Sequence, residues 1–251
     1  MPPIPDLMTL LKSGSHFGHQ VSRRHPKMKP YIFTVKSGFH IINLELTQEK
    51  LAEALEYVRK LVANGGTILF LGTKKQAQPI IEKYAKECGM PYITQRWLGG
   101  TLTNFGEIVH VIKKYSELKK QRASGQLEKY TKKEQLDFSK EIEKLDGVVG
   151  GIETLTRIPD AIFVCDVKRE KTAVTEAVKR NVPIIAICDT NVNPEKVNYV
   201  IPANDDAVKS LELIISLVSA AAKEGALERD QKKEAAKLTP APVKKAETTK
   251  S

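Results

Sequence analysis

Residues 15–28 read SHFGHQVSRRHPKM, a stretch that gathers imidazole, guanidinium and ammonium groups with little apolar matter. Residue types in this mixture suit an anionic partner, because Arg and Lys neutralise phosphates and a glycine lets backbone approach a surface closely. Arg23, Arg24, Lys27 and Lys29 are the expected phosphate contacts, and Gly14 and Gly18 the points of close approach. The imidazoles of His16, His19 and His25 have the elements of a metal site, but no cysteine or acid lies near them in sequence. Packing, or stacking on an RNA base, is the expected role for His16, His19 and His25. A metal at His16 and His19 would need Asp189 or Asp205 to be brought in by the fold.

Further cations follow apolar runs. Lys74 and Lys75 sit in LGTKKQ, and Arg96 with Trp97 opens RWLGGTLTNF, which closes on Asn104 and Phe105. A guanidinium beside a flat indole suits an unpaired base, although a large aromatic is as readily a half-buried packing residue. LGTKKQ lacks the glycines and the hydroxyl residue of a phosphate loop, no GxGxxG follows a strand, and Gly147, Gly150 and Gly151 follow a helical pattern instead. An enzyme reading therefore has no anchor. Asp166 and Asp189, each just past an apolar run, have the chemistry for Mg²⁺ or for an acid–base pair. Turn formation at Asp189 and helix capping at Asp205 and Asp206 explain such positions more simply.

Those groups need a frame. Short, nearly continuous apolar runs at 67–71, 92–94, 161–165 and 183–188 predict strands buried on both faces. Helical periodicity over 48–62, 76–87, 172–180 and 206–223 alternates with them, which predicts a doubly wound, parallel α/β sheet. A hairpin is expected at 31–35 and 39–43, turning at Lys36, Ser37 and Gly38. Between them, residues 105–145 carry two short apolar stripes in a strongly charged background. Ile108, Ile112 and Tyr115 mark one and Phe138, Ile142 and Leu145 the other, predicting an inserted antiparallel two-helix coiled-coil hairpin that projects from the sheet. Residues 1–104 and 146–223 are thus expected to form one α/β domain, and the Lys-, Glu-, Ala- and Pro-rich residues 224–251 a tail disordered after a frayed helix end.

The chain has 251 residues, 41% of them hydrophobic, enough to bury a full core. Its net charge is +10, and the first 40 residues hold six cations against one acid, Asp6. An excess so placed points to nucleic acid rather than to solubility alone. Cys88, Cys165 and Cys188 are odd in number and widely spaced, which favours small core residues over a disulfide or zinc framework. No run approaches the roughly 20 apolar residues of a membrane span, and MPPIPDLMTLL has neither a basic leader nor a cleavage site, so a cytoplasmic protein with no membrane partner is expected.

Eight blocks in order, SGSHFGHQ, HPKMKPYIF, HIINLELT, LGTKKQA, RWLGGTLTNF, KLDG, RIPDAIFVCD and DTNVNP with IPANDDA, resemble the bacterial ribosomal protein S2 family from about Leu10 to Lys223. The resemblance implies a flavodoxin-like sheet with a helical hairpin. It also implies binding to 16S ribosomal RNA near the junction of head and body, contact with the large RNA-recruiting small-subunit protein one, and no catalysis, cofactor or small-molecule substrate. Two positions depart from the family pattern: Arg24 and His25 stand where Trp and Asn are usual, and Asn43 where Asp is usual. The rival reading, a nucleotide-binding enzyme on the same scaffold, rests on fold analogy. A third, a protein-docking module built on the hairpin, is compatible with the first.

Overall fold

The computed structural model describes residues 2–238. A short helix, α1 (Leu7–Lys12), is capped by the Asp6 carboxylate, which accepts from the Thr9 N–H. It leads into an antiparallel sheet in which β3 (Phe39–Ile42) lies between β1 (Phe17–Gln20) and β2 (Ile32–Lys36). The β2–β3 turn falls at Ser37 and Gly38, both at positive φ, the primed geometry that matches strand twist. Strand β1 was not expected; its FGHQ sequence lacks any apolar alternation, and pairing with β3 alone makes it a strand. Helix α2 (Leu44–Ala63) begins four residues earlier than its periodicity suggests, because Asn43 caps it by accepting from Glu45 N–H. Asn and Asp cap about equally well, so the departure at Asn43 leaves this role intact.

The body is a five-stranded parallel sheet of β4 (Ile68–Leu71), β5 (Tyr92–Ile93), β6 (Ala161–Val164), β7 (Ile184–Cys188) and β8 (Tyr199–Pro202). The spatial order is β5-β4-β6-β7-β8, the 2-1-3-4-5 arrangement of flavodoxin-like folds. Side chains alternate between two buried layers. Phe70, Phe163 and Ile185 face one side, under α2, α3 (Gln78–Cys88) and α7 (Val208–Leu238). Leu69, Leu71, Ile162, Val164 and Ala186 face the other, together with residues of α4 (Phe105–Ala123), α5 (Lys132–Val149) and α6 (Lys171–Arg180). Burial on both faces is why these strands read as unbroken apolar runs. Cys165 and Cys188 are fully buried in these layers and Cys88 is half-buried.

Helices α4 and α5 pack on each other across the connection 124–131, and their buried residues Ile108, Ile112, Tyr115, Ile142 and Val149 are continuous with the apolar layer on this side of the sheet. Side-chain contacts join Lys114 to Glu141, Tyr115 to Asp146, and Lys119 to Glu153 just past α5. One expectation needs correction, that of the tail. Helix α7 runs on to Leu238, fifteen residues past Lys223, and residues 239–251 lie outside the described part. Ala, Glu, Lys and Leu are strong helix formers, and Glu228 is ion-paired to Arg59 of α2, so an already nucleated helix continues where composition alone read disorder.

The glycines after α5 serve packing. A Cβ on Gly151 would lie 2.2 Å from the Tyr92 carbonyl oxygen, a backbone atom that cannot swing away. Gly151→Ala is expected to cost about 1–3 kcal/mol, read as a lower midpoint in urea unfolding with an unchanged slope.

Candidate nucleic-acid interface

In a doubly wound sheet, ligands bind beyond the carboxyl ends of the strands. Here that edge is filled by the chain itself. The segment containing β1 lies across it: Thr190 O accepts from His25 N–H at 2.8 Å, Ser15 O accepts from Asn204 N–H at 3.0 Å, and the Ser15 and Ser210 hydroxyls meet at 2.9 Å. His19 N–H donates to Thr190 Oγ1 at 3.0 Å. Gly18 is the point of closest approach, since a Cβ there would stand 2.7 Å from Thr190 Cγ2. Gly18 thus makes its close approach to its own fold.

Beneath this cover lies a charge cluster. The Lys74 ammonium stands 3.4 Å from Asp166, 3.0 Å from Asp205 and 2.6 Å from Asp206, and its side chain is 14% exposed. Burial works against the ammonium, and its bonds to Asp206 and Asp205 with the charge of Asp166 outweigh that, so its proton is held more tightly than usual. Burial, then the neighbouring charges of Asp166 and Asp189, push the Asp205 carboxyl up to about 7. His19 Nδ1 lies 3.0 Å from Asp189 and Nε2 3.6 Å from Asp206. Its hydrogen bond to Asp189 raises its affinity for a proton, against the effect of burial. One ligand atom each from His19, Asp205 and Asp206 fall within 4.8 Å of one another, so these are the described residues able to hold a cation, with Lys74 already supplying positive charge to the two carboxylates.

The expected RNA contacts therefore divide. Lys74 is engaged by three carboxylates in the internal cluster. Lys27 is ion-paired with Glu195. Trp97 is 8% exposed within the layer beneath α6, and its indole N–H donates to Glu176 at 3.1 Å, so no indole face is open for a base. His16 is half-buried against the Phe17 ring. His25 Nδ1 accepts from Lys27 N–H and starts the 3₁₀ turn Pro26–Tyr31, a capping role that the usual Asn would also fill. Arg23, Arg24, Lys29, Lys75 and Arg96 are exposed, and among the described residues none has an ion pair. Asn104 is exposed at the start of α4 and makes no side-chain cap.

Of the acids expected to cap, Asp166 accepts from Arg169 N–H and Asp189 from Thr190 N–H in local turns, as anticipated. The turn before α7 is made by Asn204 instead, which accepts from Asp206 and Ala207 N–H, freeing Asp205 for Lys74. Sequence reading missed a groove of about 720 Å³ beside the 3₁₀ turn, lined by Lys27, Lys29, Tyr31, Lys50 and Tyr199 among others. These residues come from distant segments, and no local pattern marks them.

The ligand edge of this doubly wound body is sealed by its own N-terminal segment, and among the described residues its rim carries exposed cations without an ion pair. Residues 10–225 match the family described as Ribosomal protein S2, and the chain belongs to that family. It is 48% identical over 224 residues to "Small ribosomal subunit protein uS2" of Roseiflexus sp. (strain RS-1), covering 89% of this chain and 86% of that protein. Its identity to the protein of the same name from Dehalococcoides mccartyi is 48% over 214 residues, covering 85% and 87%. Membership makes this a structural ribosomal protein, not an enzyme.

Proposed function

We propose that the chain is a structural component of the small ribosomal subunit that binds 16S ribosomal RNA near the head–body junction through the basic rim of its sheet's carboxyl edge. As a ribosomal protein it works in the ribosome, in the cytoplasm, with ribosomal RNA and other ribosomal proteins as partners. One observation supports the basic rim as the RNA-contacting face. Main-chain bonds fasten the N-terminal segment to the strand ends, while Arg23, Arg24 and Lys29 point their charge at no acid of the described chain. Lys75 and Arg96 follow β4 and β5, whose carboxyl ends lie on the same edge because the strands are parallel. Fixed backbone with free cations lowers the ordering entropy that phosphate contacts would otherwise cost.

The crevice where a nucleotide would sit on such a scaffold is filled by β1 and the Lys74 cluster, which counts against the nucleotide-binding alternative. A docking role for the α4–α5 pair, including contact with the large RNA-recruiting protein one, is compatible with RNA binding, but removing residues 106–145 would uncover the core and is not a clean test of it. The proposal is tested by co-sedimentation with small-subunit particles lacking this protein. Binding should weaken steeply with salt, with a log–log slope of roughly −3 to −4.5 for four or five phosphate contacts. A slope near zero would remove RNA phosphates as the partner.

A further inference from the structure

The loop 97–103 wraps a carboxylate supplied by α6. Glu176, 7% exposed, accepts five hydrogen bonds: Oε1 from the Trp97 indole at 3.1 Å and Gly100 N–H at 2.8 Å, and Oε2 from Leu102 N–H at 3.0 Å, Thr103 N–H at 3.2 Å and the Thr103 hydroxyl at 3.2 Å. Converging N–H groups of this kind make an anion-binding nest, here filled from within the chain. One turn later on the same helix, Arg180 donates to Thr103 O, so α6 grips both the donors and an acceptor of one loop. Gly100, at φ 95°, lets the loop close around the carboxylate. The same helix begins beside a second clamp, in which buried Glu170 accepts from Thr73 N–H at 2.9 Å and from its hydroxyl at 2.6 Å. Thr73 immediately precedes the Lys74–Lys75 pair.

We infer that Glu176 is a positioning residue for RNA binding: it holds the loop whose two ends present Arg96 and Asn104, and so fixes where those exposed groups meet the nucleic acid. Glu176 itself touches no RNA in this arrangement, because all its visible capacity is turned to the loop. The inference rests on the reading that the carboxyl-edge rim binds ribosomal RNA. Glycine and threonine in RWLGGTLTN then serve to wrap a carboxylate, which accounts for a glycine-rich loop on a fold that binds no nucleotide through it.

Glu176→Gln tests it in the full chain. Whichever way the amide turns, its NH₂ faces two or more of the loop donors, so half the nest is lost. Amide exchange at Gly100, Leu102 and Thr103 should accelerate while amides of β4 and β6 keep their protection, and emission of Trp97, the single tryptophan, should move to the red. Affinity for purified 16S ribosomal RNA should fall about ten-fold, the effect of one to two lost hydrogen bonds. Thr103→Val removes one donor with little change of shape and should cost about two- to three-fold, which keeps the test decisive if Glu176→Gln fails to fold. Opened loop amides with undiminished RNA affinity would overturn the inference while leaving the RNA reading intact. Wild-type protein that does not bind the RNA at all would end both, a result visible before any variant is made.

Discussion

Lys74→Met lowers the stability of the chain by about 3–5 kcal/mol near pH 8, the usual cost of removing one partner from a buried charge cluster. The methionine fills nearly the same volume, so the loss is electrostatic. Asp166, Asp205 and Asp206 lose the one ammonium among them, with Asp189 adjacent through His19. For a domain of this size the melting temperature drops by roughly 6–20 °C, read by circular dichroism. The pH dependence has a definite sign. Asp205, held at about 7 by burial and neighbouring carboxylates, takes up a proton on folding. Its contribution to stability is therefore complete below the ordinary carboxylate range and is lost as pH rises through about 7. The variant's deficit should shrink at about pH 5.5, where Asp205 is protonated and its lost countercharge matters less. A deficit absent at both pH values, combined with weakened RNA binding, would return Lys74 to the role of phosphate ligand.

Arg23→Ala, Arg24→Ala and Lys29→Ala combined lower affinity for 16S ribosomal RNA by about 10²–10³ at low salt and reduce the magnitude of the salt slope by about three. Lys29 is chosen over Lys27 because Lys27 already has a partner in Glu195. All three side chains are exposed, so folding should be unaffected, and an unchanged melting curve is the control. Equal affinity and an equal salt slope would place the RNA on another surface. The loss differs in kind from that of Glu176→Gln, which moves loop exchange and Trp97 emission and leaves the salt slope nearly as it was.

The sheet was legible in the chain because burial on both faces turns each strand into an apolar run that needs no partner to be recognised, as at Leu69 to Leu71 and Ile184 to Cys188. The short edge strand β8 and the polar strand β1 were not, since β1 exists only through its pairing with β3 and β8 only at the edge of β7. Helix α7 outran its apolar stripe because Glu228 and Arg59 meet across 169 residues, a contact with no local signature. The basic rim was legible as unusual charge density in the first 40 residues. Which cations remain free was not.

Sequence by itself determined the alternating α/β frame, the family and the cationic character of the N-terminal segment, because propensity, periodicity and net charge are properties of neighbouring residues. Tertiary structure alone decided how each charge is used. Lys74 and Lys75 are neighbours with the same chemistry, yet one is locked among three carboxylates and the other is open to solvent. Trp97 and Arg96 are neighbours too, and one is turned inward onto Glu176 while the other faces out. Electrostatic roles depend on distance and burial, and both are set by segments more than 70 residues away.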